Sequence, residues 1–214
     1  MSTILVYGDS VSWGIIPNTR DRLPFERRWP GILERALSAK ALKVRVVEDC
    51  LNGRRTAWDD PYKPGRKALA TVAQAMEMHS PIAVMLLMLG TNDFQPMHAN
   101  DAWHSAQGVA AVIGAIRQAP IEPRMPQPHL VVIAPPQIRE AKGPIAPKFA
   151  GAGPKCVGLS AAYRDVATAL GCTFFDSNEV VSASRVDGIH LDADQHAVLG
   201  TALADVVVPL LAAA

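Results

Sequence analysis

Five short apolar runs, separated by longer stretches with helical spacing, constrain the fold of this chain more than any other feature. The runs are residues 3–7, 44–47, 82–89, 130–134 and 173–175. Short runs of this kind that end at glycine, proline or acidic residues are typical of strands. The continuous apolar character of residues 82–89 further indicates a strand covered on both faces, near the centre of a sheet.

Apolar residues with helical spacing fill the intervals between the predicted strands. The predicted helices are residues 29–42, 66–79, 103–118 and 157–170, with a packed terminal helix over the apolar tail 197–214. Strands that alternate with helices form parallel sheets through right-handed crossovers. We therefore predict a three-layer α/β fold, a flavodoxin-like five-stranded parallel sheet in the order 2-1-3-4-5 with helices on both faces. Residues 1–214 are expected to form a single domain.

Three candidate functional residues follow the first three predicted strands. Ser10, Gly53 and Asn92 each lie in the turn at the carboxyl end of a strand. In the predicted strand order the chain reverses direction between strands one and three, and ligands bind outside the carboxyl ends at that point. We therefore expect these residues to face one crevice.

Ser10 is the candidate nucleophile. It lies in the sequence Gly8-Asp9-Ser10, directly after the first strand and at a predicted helix start. Backbone N–H groups at a helix start point toward any nearby anion. An ordinary strand-to-helix turn with a capping serine would have the same tripeptide, so the assignment depends on residues further along the chain.

Asp187 and His190 are the candidate partners of Ser10. A serine hydroxyl is a weak nucleophile that needs a neighbouring base, which a third group usually orients. In a tight non-helical turn, Asp187 would accept a hydrogen bond from one nitrogen of His190 while the other nitrogen faces Ser10. Gly188 would give that turn its freedom in φ.

The residues after His190 and the other histidines have weaker assignments. Asp192 and Gln195 have the spacing of a capping box, which would start the last helix. His196 falls inside that helix, where packing is the expected role. His98 lies in the loop beyond Asn92 and is a candidate for the pocket mouth.

Acyl transfer also needs donors for the oxyanion of the tetrahedral intermediate. The candidates are the backbone N–H groups of Ser10 and Gly53 and the side-chain amide of Asn92. Gly53 and Asn92 are also common turn residues, and each alone would fit that simpler role. Their order along the chain, together with Asp187 and His190, favours a catalytic site.

Charge and cysteine content restrict the partners and the compartment. The chain has 21 basic and 20 acidic residues and a net charge of +1, so neither a nucleic-acid nor a membrane partner is expected. Its cysteines are Cys50, Cys156 and Cys172, an odd number without zinc-ligand spacing. Together with a start that does not resemble a signal peptide, this predicts residence in the cytoplasm.

Four short blocks of this sequence resemble those of the SGNH hydrolase superfamily, also called GDSL-type esterases and lipases. The blocks are Gly8-Asp9-Ser10, Asn52-Gly53, Gly90-Thr91-Asn92-Asp93 and Asp187-Gly188-Ile189-His190. Within the superfamily the chain looks most like bacterial arylesterases related to the mycobacterial esterase/acyltransferase. The resemblance implies a homo-oligomeric esterase with Ser10 as nucleophile, His190 as base and Asp187 as its orienting acid. It implies no metal or other cofactor.

The expected substrate is a small-molecule ester with a small acyl or aryl group, and acyl transfer to alcohols is expected if the pocket is narrow and dry. Trp13, Ile15 and Ile189 adjoin the candidate catalytic residues and could form an apolar acyl pocket, although Trp13 would equally suit the core. The loop 137–154 is predicted to shape an active site or an interface. Two alternatives remain at this stage, a carbohydrate O-acetylesterase and a non-enzymatic flavodoxin-like ligand-binding module.

Overall fold

A five-stranded parallel sheet forms the centre of the fold in the computed structural model, which describes residues 1–212. The strands are β1 (Ser2–Gly8), β2 (Val44–Cys50), β3 (Val84–Met88), β4 (His129–Ala134) and β5 (Thr173–Asp176). Their order is β2-β1-β3-β4-β5, and every neighbouring pair is parallel. In the register, Ile4 of β1 lies between Val46 of β2 and Val84 of β3. The predicted strand order is therefore confirmed.

Helices cover both faces of the sheet. They are α1 (Ser10–Trp13), α2 (Trp29–Ala39), α3 (Ala68–His79), α4 (Ala102–Arg117), α5 (Ala152–Lys155), α6 (Leu159–Ala169) and α7 (Ala193–Ala212). Short 3₁₀ helices span Phe25–Arg27, Thr91–Phe94, Gly143–Phe149 and Ser177–Glu179. The predicted three-layer α/β architecture is confirmed.

Several helix boundaries differ from the predicted ones by one to four residues, and at α2 and α3 local hydrogen bonds explain the difference. Helix α2 stops at Ala39 because Ala41 adopts a left-handed φ of +60° and closes a turn. Helix α3 begins at Ala68 because the preceding residues pair with Arg55, whose N–H donates to the carbonyl of Arg66.

Alternation along the strands divides the core into two clusters. In β1, Leu5 and Tyr7 face the cluster that contacts α3, α4 and α6, whereas Ile4 and Val6 face the cluster that contacts α2 and α7. All four side chains are fully buried. Burying both faces of a parallel strand explains why the strand sequences are continuously apolar.

Helix α7 packs on the fold, as predicted for the apolar tail. With a mean hydropathy of 1.5, it is long and apolar enough to cross a membrane by length and composition alone. It packs along α2 and buries His196, Leu199, Leu203 and Val207. Residues 213 and 214 of the predicted helix and domain lie outside the described residues.

Candidate active site

Ser10 is the first residue of α1, directly beyond the carboxyl end of β1. Asp9 caps this short helix, and its Oδ1 accepts a hydrogen bond from the N–H of Val11 at 2.9 Å. The helix ends at Gly14, which has a left-handed φ of +85°. The turn holds the Ser10 side chain at the bottom of a pocket, where the residue is 6% exposed.

The loop 184–190 brings Asp187 and His190 to Ser10. His190 Nε2 lies 3.0 Å from Ser10 Oγ, and His190 Nδ1 lies 2.7 Å from Asp187 Oδ2. Gly188 has a φ of +80°, and a Cβ atom there would lie 2.3 Å from the carbonyl oxygen of Glu140. Only glycine fits this turn without displacing the neighbouring backbone.

Asp187 is held as a carboxylate. Its Oδ1 accepts hydrogen bonds from the N–H groups of Ile189 and His190, at 2.9 and 3.0 Å. Burial alone would raise its pKa, but the hydrogen bond and charge of His190 and these backbone donors outweigh burial and lower the pKa below its usual value. The carboxylate is therefore placed to fix the orientation of the His190 ring.

The predicted capping box at the start of α7 does not form. Asp192 Oδ1 accepts from the hydroxyl of Ser184, and Gln195 Oε1 accepts from the N–H of Ser182. The oxygens of both side chains therefore accept from the segment before His190 and do not cap the backbone of their own helix. This difference arises because a tertiary partner competes with the local one, and it still fastens the loop that includes Asp187.

The three residues that carry the predicted oxyanion donors, Ser10, Gly53 and Asn92, all line the same pocket. Gly53 has a φ of +85°, and among residues 1–212 its N–H has no hydrogen-bond acceptor. Asn92 Nδ2 already donates to Asp9 Oδ2 at 3.0 Å and to the carbonyl oxygen of Arg54 at 3.2 Å. An oxyanion would therefore compete with the longer of these contacts for a proton of Asn92.

A buried network supports Asn92, and the sequence did not reveal it. Gln95 Nε2 donates to Asn92 Oδ1 at 2.7 Å, while the fully buried Arg55 donates through Nε to the Asn92 carbonyl at 3.1 Å. Burial raises the pKa of Asp9 to about 6, against the lowering effects of the Val11 N–H and the His190 charge. The position of Gln95, three residues after Asn92 in a 3₁₀ turn, is the one sequence signal that could have indicated this contact.

Asp93 anchors the same network from the other side. It accepts hydrogen bonds from the N–H and hydroxyl of Thr56 and from the hydroxyl of Ser105, at 2.7 to 3.0 Å. Burial raises the pKa of Asp93 to about 6, although these donors oppose the rise. Asp93 thereby connects the turn after β3 to the loop that follows β2.

The pocket has a volume of about 400 Å³ and is lined by three chain segments besides the loops of the candidate catalytic residues. Ile15 lines it as predicted, and the predicted loop 137–154 contributes Pro144, Ile145, Lys148 and Phe149. The unpredicted 3₁₀ helix Gly143–Phe149 presents these side chains.

Three predicted positions are wrong. Trp13 is neither pocket wall nor core, because its ring lies under the guanidinium of Arg22, 4.5 Å away. Ile189 is 2% exposed and packs into the core, since it points away from the pocket that its neighbour His190 faces. His98 is absent from the pocket wall, and its Nε2 contacts the carbonyl oxygen of Asp59.

His196 packs as predicted. It is fully buried in α7, and its Nδ1 accepts a hydrogen bond from the N–H of Trp29 at 3.2 Å. Burial lowers its pKa to about 3, and the charge of Arg28 lowers it further. The imidazole is therefore neutral and structural at physiological pH.

Comparison with solved structures finds relatives along the whole fold. An aryl esterase of M. smegmatis in an inhibitor-bound form has a TM-score of 0.93 and 28% identity, over 99% of this chain and 100% of that one. A putative arylesterase of Agrobacterium tumefaciens has a TM-score of 0.89 and 37% identity, also over 99% and 100%. A carbohydrate acetylesterase family member of Sinorhizobium meliloti has a TM-score of 0.92 and 32% identity over the same shares.

Sequence comparison agrees with the structural one. An arylesterase of Vibrio mimicus is 32% identical over 90 residues, which are 42% of this chain and 37% of that relative's length. Residues 6–198 match the GDSL-like Lipase/Acylhydrolase family. This match sets aside the non-enzymatic binding module that the sequence had left open. The chain belongs to the GDSL-like lipase/acylhydrolase family, a family of carboxylic ester hydrolases.

Proposed function

We propose that this chain is a serine esterase that hydrolyses small acyl or aryl esters through an acyl-enzyme on Ser10. The observation that carries the proposal is the chain of contacts from Asp187 to His190 to Ser10, at 2.7 and 3.0 Å. In this arrangement a neutral imidazole accepts the serine proton while the carboxylate stabilises the imidazolium that forms.

The reaction has two steps, acylation of Ser10 and hydrolysis of the acyl-enzyme. Ser10 Oγ attacks the carbonyl carbon and gives its proton to His190 Nε2, while the carbonyl electron pair moves onto the oxygen. As the tetrahedral intermediate collapses, the bond to the alcohol oxygen breaks and His190 returns the proton to it. Water then attacks the acyl carbon and gives a proton to His190 Nε2. The bond to Ser10 Oγ breaks, Oγ takes the proton back from His190, and the carboxylic acid leaves.

The oxyanion is stabilised by the N–H groups of Ser10 and Gly53 and the amide of Asn92. Preorganised donors at this position typically contribute a factor of about 10² to 10³ each. Ser10 N–H is the first of a helix and has no intrahelical acceptor, which leaves it available to the substrate. The network around Asn92 fixes the position of the third donor, whose contact with the Arg54 carbonyl the oxyanion replaces.

Small esters fit the size and lining of the pocket. A volume of about 400 Å³ accommodates an aryl acetate or a short acyl chain. Ile15, Pro144, Ile145 and Phe149 supply apolar wall near Ser10. This apolar wall also supports acyl transfer to alcohols as a side reaction, which gas chromatography of ethyl acetate formed in aqueous ethanol would detect.

A carbohydrate O-acetylesterase is the second candidate. The similarity to the Sinorhizobium meliloti acetylesterase family member favours it, as do the polar residues Asn18, Thr19 and Asn52 in the pocket wall. Comparing the kcat/KM for acetylated xylose or glucose with that for phenyl acetate separates the two. A higher value for the sugar esters would replace the aryl-ester assignment.

The chain is further proposed to act as one domain, in the cytoplasm, as a homo-oligomer. The three free cysteines Cys50, Cys156 and Cys172 support a reducing compartment. The family resemblance supports oligomerisation, which light scattering after size exclusion would measure. A monomeric mass at micromolar concentration would contradict it.

Hydrolysis of p-nitrophenyl acetate by wild type, Ser10→Ala and Ser12→Ala tests the proposal. Ser12 lies in the same helix and its buried hydroxyl has no hydrogen-bond partner among residues 1–212, so its alanine variant is a matched control. We expect Ser10→Ala to lose about 10³-fold or more in kcat, and Ser12→Ala to remain near wild type. Equal activity of wild type and Ser10→Ala would remove Ser10 from the reaction.

A further inference from the structure

Three cationic side chains line the pocket beside Ser10, and the esterase reaction proposed above uses none of them. Lys148 lies on the 3₁₀ helix Gly143–Phe149, Arg20 lies in the loop after α1, and Lys63 lies in the loop before α3. In the part of the chain that the structure describes, none of these side chains has a hydrogen-bond or ion-pair partner. The pocket therefore carries positive charge that the protein does not neutralise.

Lys148 is the innermost of the three. Its side chain is half-buried, and its Nζ lies 3.8 Å from the point that a Cβ atom would occupy at Gly53, a candidate oxyanion donor. Burial lowers the pKa of Lys148, and the charge of Lys63 lowers it further. The charge of Asp60 raises the pKa but does not outweigh these two effects, so burial and like charge cost this cation more than its protein surroundings return.

Asp187, the carboxylate that lines the pocket, and Asp60, whose charge acts on Lys148, are both already engaged. Asp187 accepts from His190, and the second oxygen of its carboxylate accepts two backbone N–H groups. Asp60 lies 3.3 Å from Arg55 and accepts from the backbone of Tyr62. An anion that neutralises Lys148 must therefore come from a ligand.

We propose that the preferred ester carries an anionic group, such as a carboxylate, which Lys148 binds at the pocket wall. Lys63 and Arg20, which are exposed at the pocket mouth, attract the anion on approach, but solvent screens them more strongly than Lys148. The inference rests on the proposed esterase function and narrows its substrate class. Neutral aryl esters are substrates that lack this one contact.

Two matched ester pairs test the proposal and locate the anion. The first pair is 4-acetoxybenzoate and its methyl ester, in which the charge is on the alcohol side. The second is mono-4-nitrophenyl glutarate and its methyl ester, in which the charge is on the acyl side. The ratio of kcat/KM within a pair is compared between variants, so that the intrinsic reactivities of the two esters cancel.

The variants are Lys148→Met, Lys148→Arg and the control Lys43→Met. Lys43 is exposed and precedes β2, at the opposite end of the sheet from Ser10, so its replacement makes the same change in net charge away from the pocket. We expect Lys148→Met to lower the charged-to-neutral ratio about 10-fold or more in one pair, as expected for a charge-assisted contact. Lys148→Arg should retain most of the ratio, and Lys43→Met should leave it at the wild-type value.

Two results would overturn the proposal. A ratio that Lys148→Met leaves unchanged in both pairs would show that Lys148 binds no substrate anion. An equal fall in kcat/KM for charged and neutral esters would assign the lysine charge to the reacting oxygen instead. Failure of the esterase function itself is distinguishable, because no neutral ester would then be hydrolysed faster by wild type than by Ser10→Ala.

Discussion

Ser10 lies between two regions of the pocket that differ in burial and in hydrogen bonding. The floor consists of Ser10, Asn92, Asp187 and His190, which are at most 6% exposed and whose side chains all have partners. The rim consists of residues 18–20, Lys63 and residues 144–149, most of them exposed or half-buried. Within the described residues 1–212, the side chains of its three cations, Arg20, Lys63 and Lys148, have no hydrogen-bond or ion-pair partner.

This difference separates the residues proposed to carry out the reaction from those proposed to select the substrate. Groups that are buried and fully hydrogen-bonded cannot reorient without losing a partner, which preorganises the floor for one reaction. Exposed side chains exchange protein contacts for water at little cost, so the rim can change without disturbing the floor. We therefore expect substitutions in the floor to change kcat and substitutions in the rim to change the ranking of esters.

The largest expected effect is that of Asp187→Asn. The variant keeps the size of the side chain but loses the charge that orients and stabilises the His190 ring, so kcat should fall about 10³- to 10⁴-fold. Steady-state hydrolysis of p-nitrophenyl acetate measures it. Asp194→Asn is the control, because Asp194 is exposed on the first turn of α7. A loss below about tenfold in Asp187→Asn would mean that His190 does not need this partner.

Two asparagines compare the floor and the rim directly. Asn92→Ala removes an oxyanion donor and should lower kcat about 10²- to 10³-fold. Asn18 in the rim has a left-handed φ of +59°, which glycine also adopts, and its amide donates only to the carbonyl of Val186. Asn18→Gly should therefore leave kcat within about threefold of wild type. Similar losses of kcat in both variants would break the distinction between the regions.

The buried carboxyl groups of Asp93 and Asp9, which support the floor, also predict that stability depends on pH. Burial raises the pKa of Asp93 from 3.8 to about 6. Between these values the folded protein holds a proton that the unfolded chain releases, so stability should decrease as pH rises through this range. Given the size of its pKa shift, Asp93 lowers the free energy of unfolding by about 3 kcal/mol at most over this range. Because the pKa of Asp9 is also raised to about 6, Asp9 adds to the same slope.

Urea unfolding of wild type and Asp93→Asn between pH 4 and pH 7 measures this slope. The amide cannot ionise, so the variant should lose the share of the slope that Asp93 contributes and keep that of Asp9. Parallel curves for the two proteins would contradict the buried, proton-holding state of Asp93.

The smallest expected effect belongs to the rim. Ile145→Ala removes half-buried apolar wall from the pocket, so KM for aryl esters should rise about two- to fivefold while kcat stays near wild type. A series of p-nitrophenyl esters from acetate to hexanoate measures the effect, which should grow with acyl length. A change confined to kcat would show that Ile145 affects the reaction step, as the floor residues do, and not the binding of the ester.

The fold and the floor could be predicted because both depend on local signals. Parallel strands buried on two faces leave continuous apolar runs, and residues at their carboxyl ends meet at one edge. The positions of Ser10, Gly53 and Asn92 follow from that rule once the strand order is right. Gly188 could be anticipated because its turn needs a left-handed residue.

The rim and the supporting network could not be predicted because tertiary contacts create them. Trp13 and Ile189 adjoin catalytic residues in sequence, yet neighbouring side chains point in different directions, so neither lines the pocket. Arg55 resembles a solvent-exposed charge in a polar loop, but Gln95 and Asp60 pair with it in the interior. Lys148 reaches the pocket through a 3₁₀ turn that has no periodic pattern in sequence.

Ser10 and His190, the proposed nucleophile and its proposed base, lie 180 residues apart along the chain. During synthesis Ser10 emerges 180 residues before His190, so a nascent chain holds an unactivated serine until the loop 184–190 has been made. Recovery of hydrolysis during refolding therefore requires docking of the loop 184–190 beside Ser10, which assembly of the sheet alone does not provide.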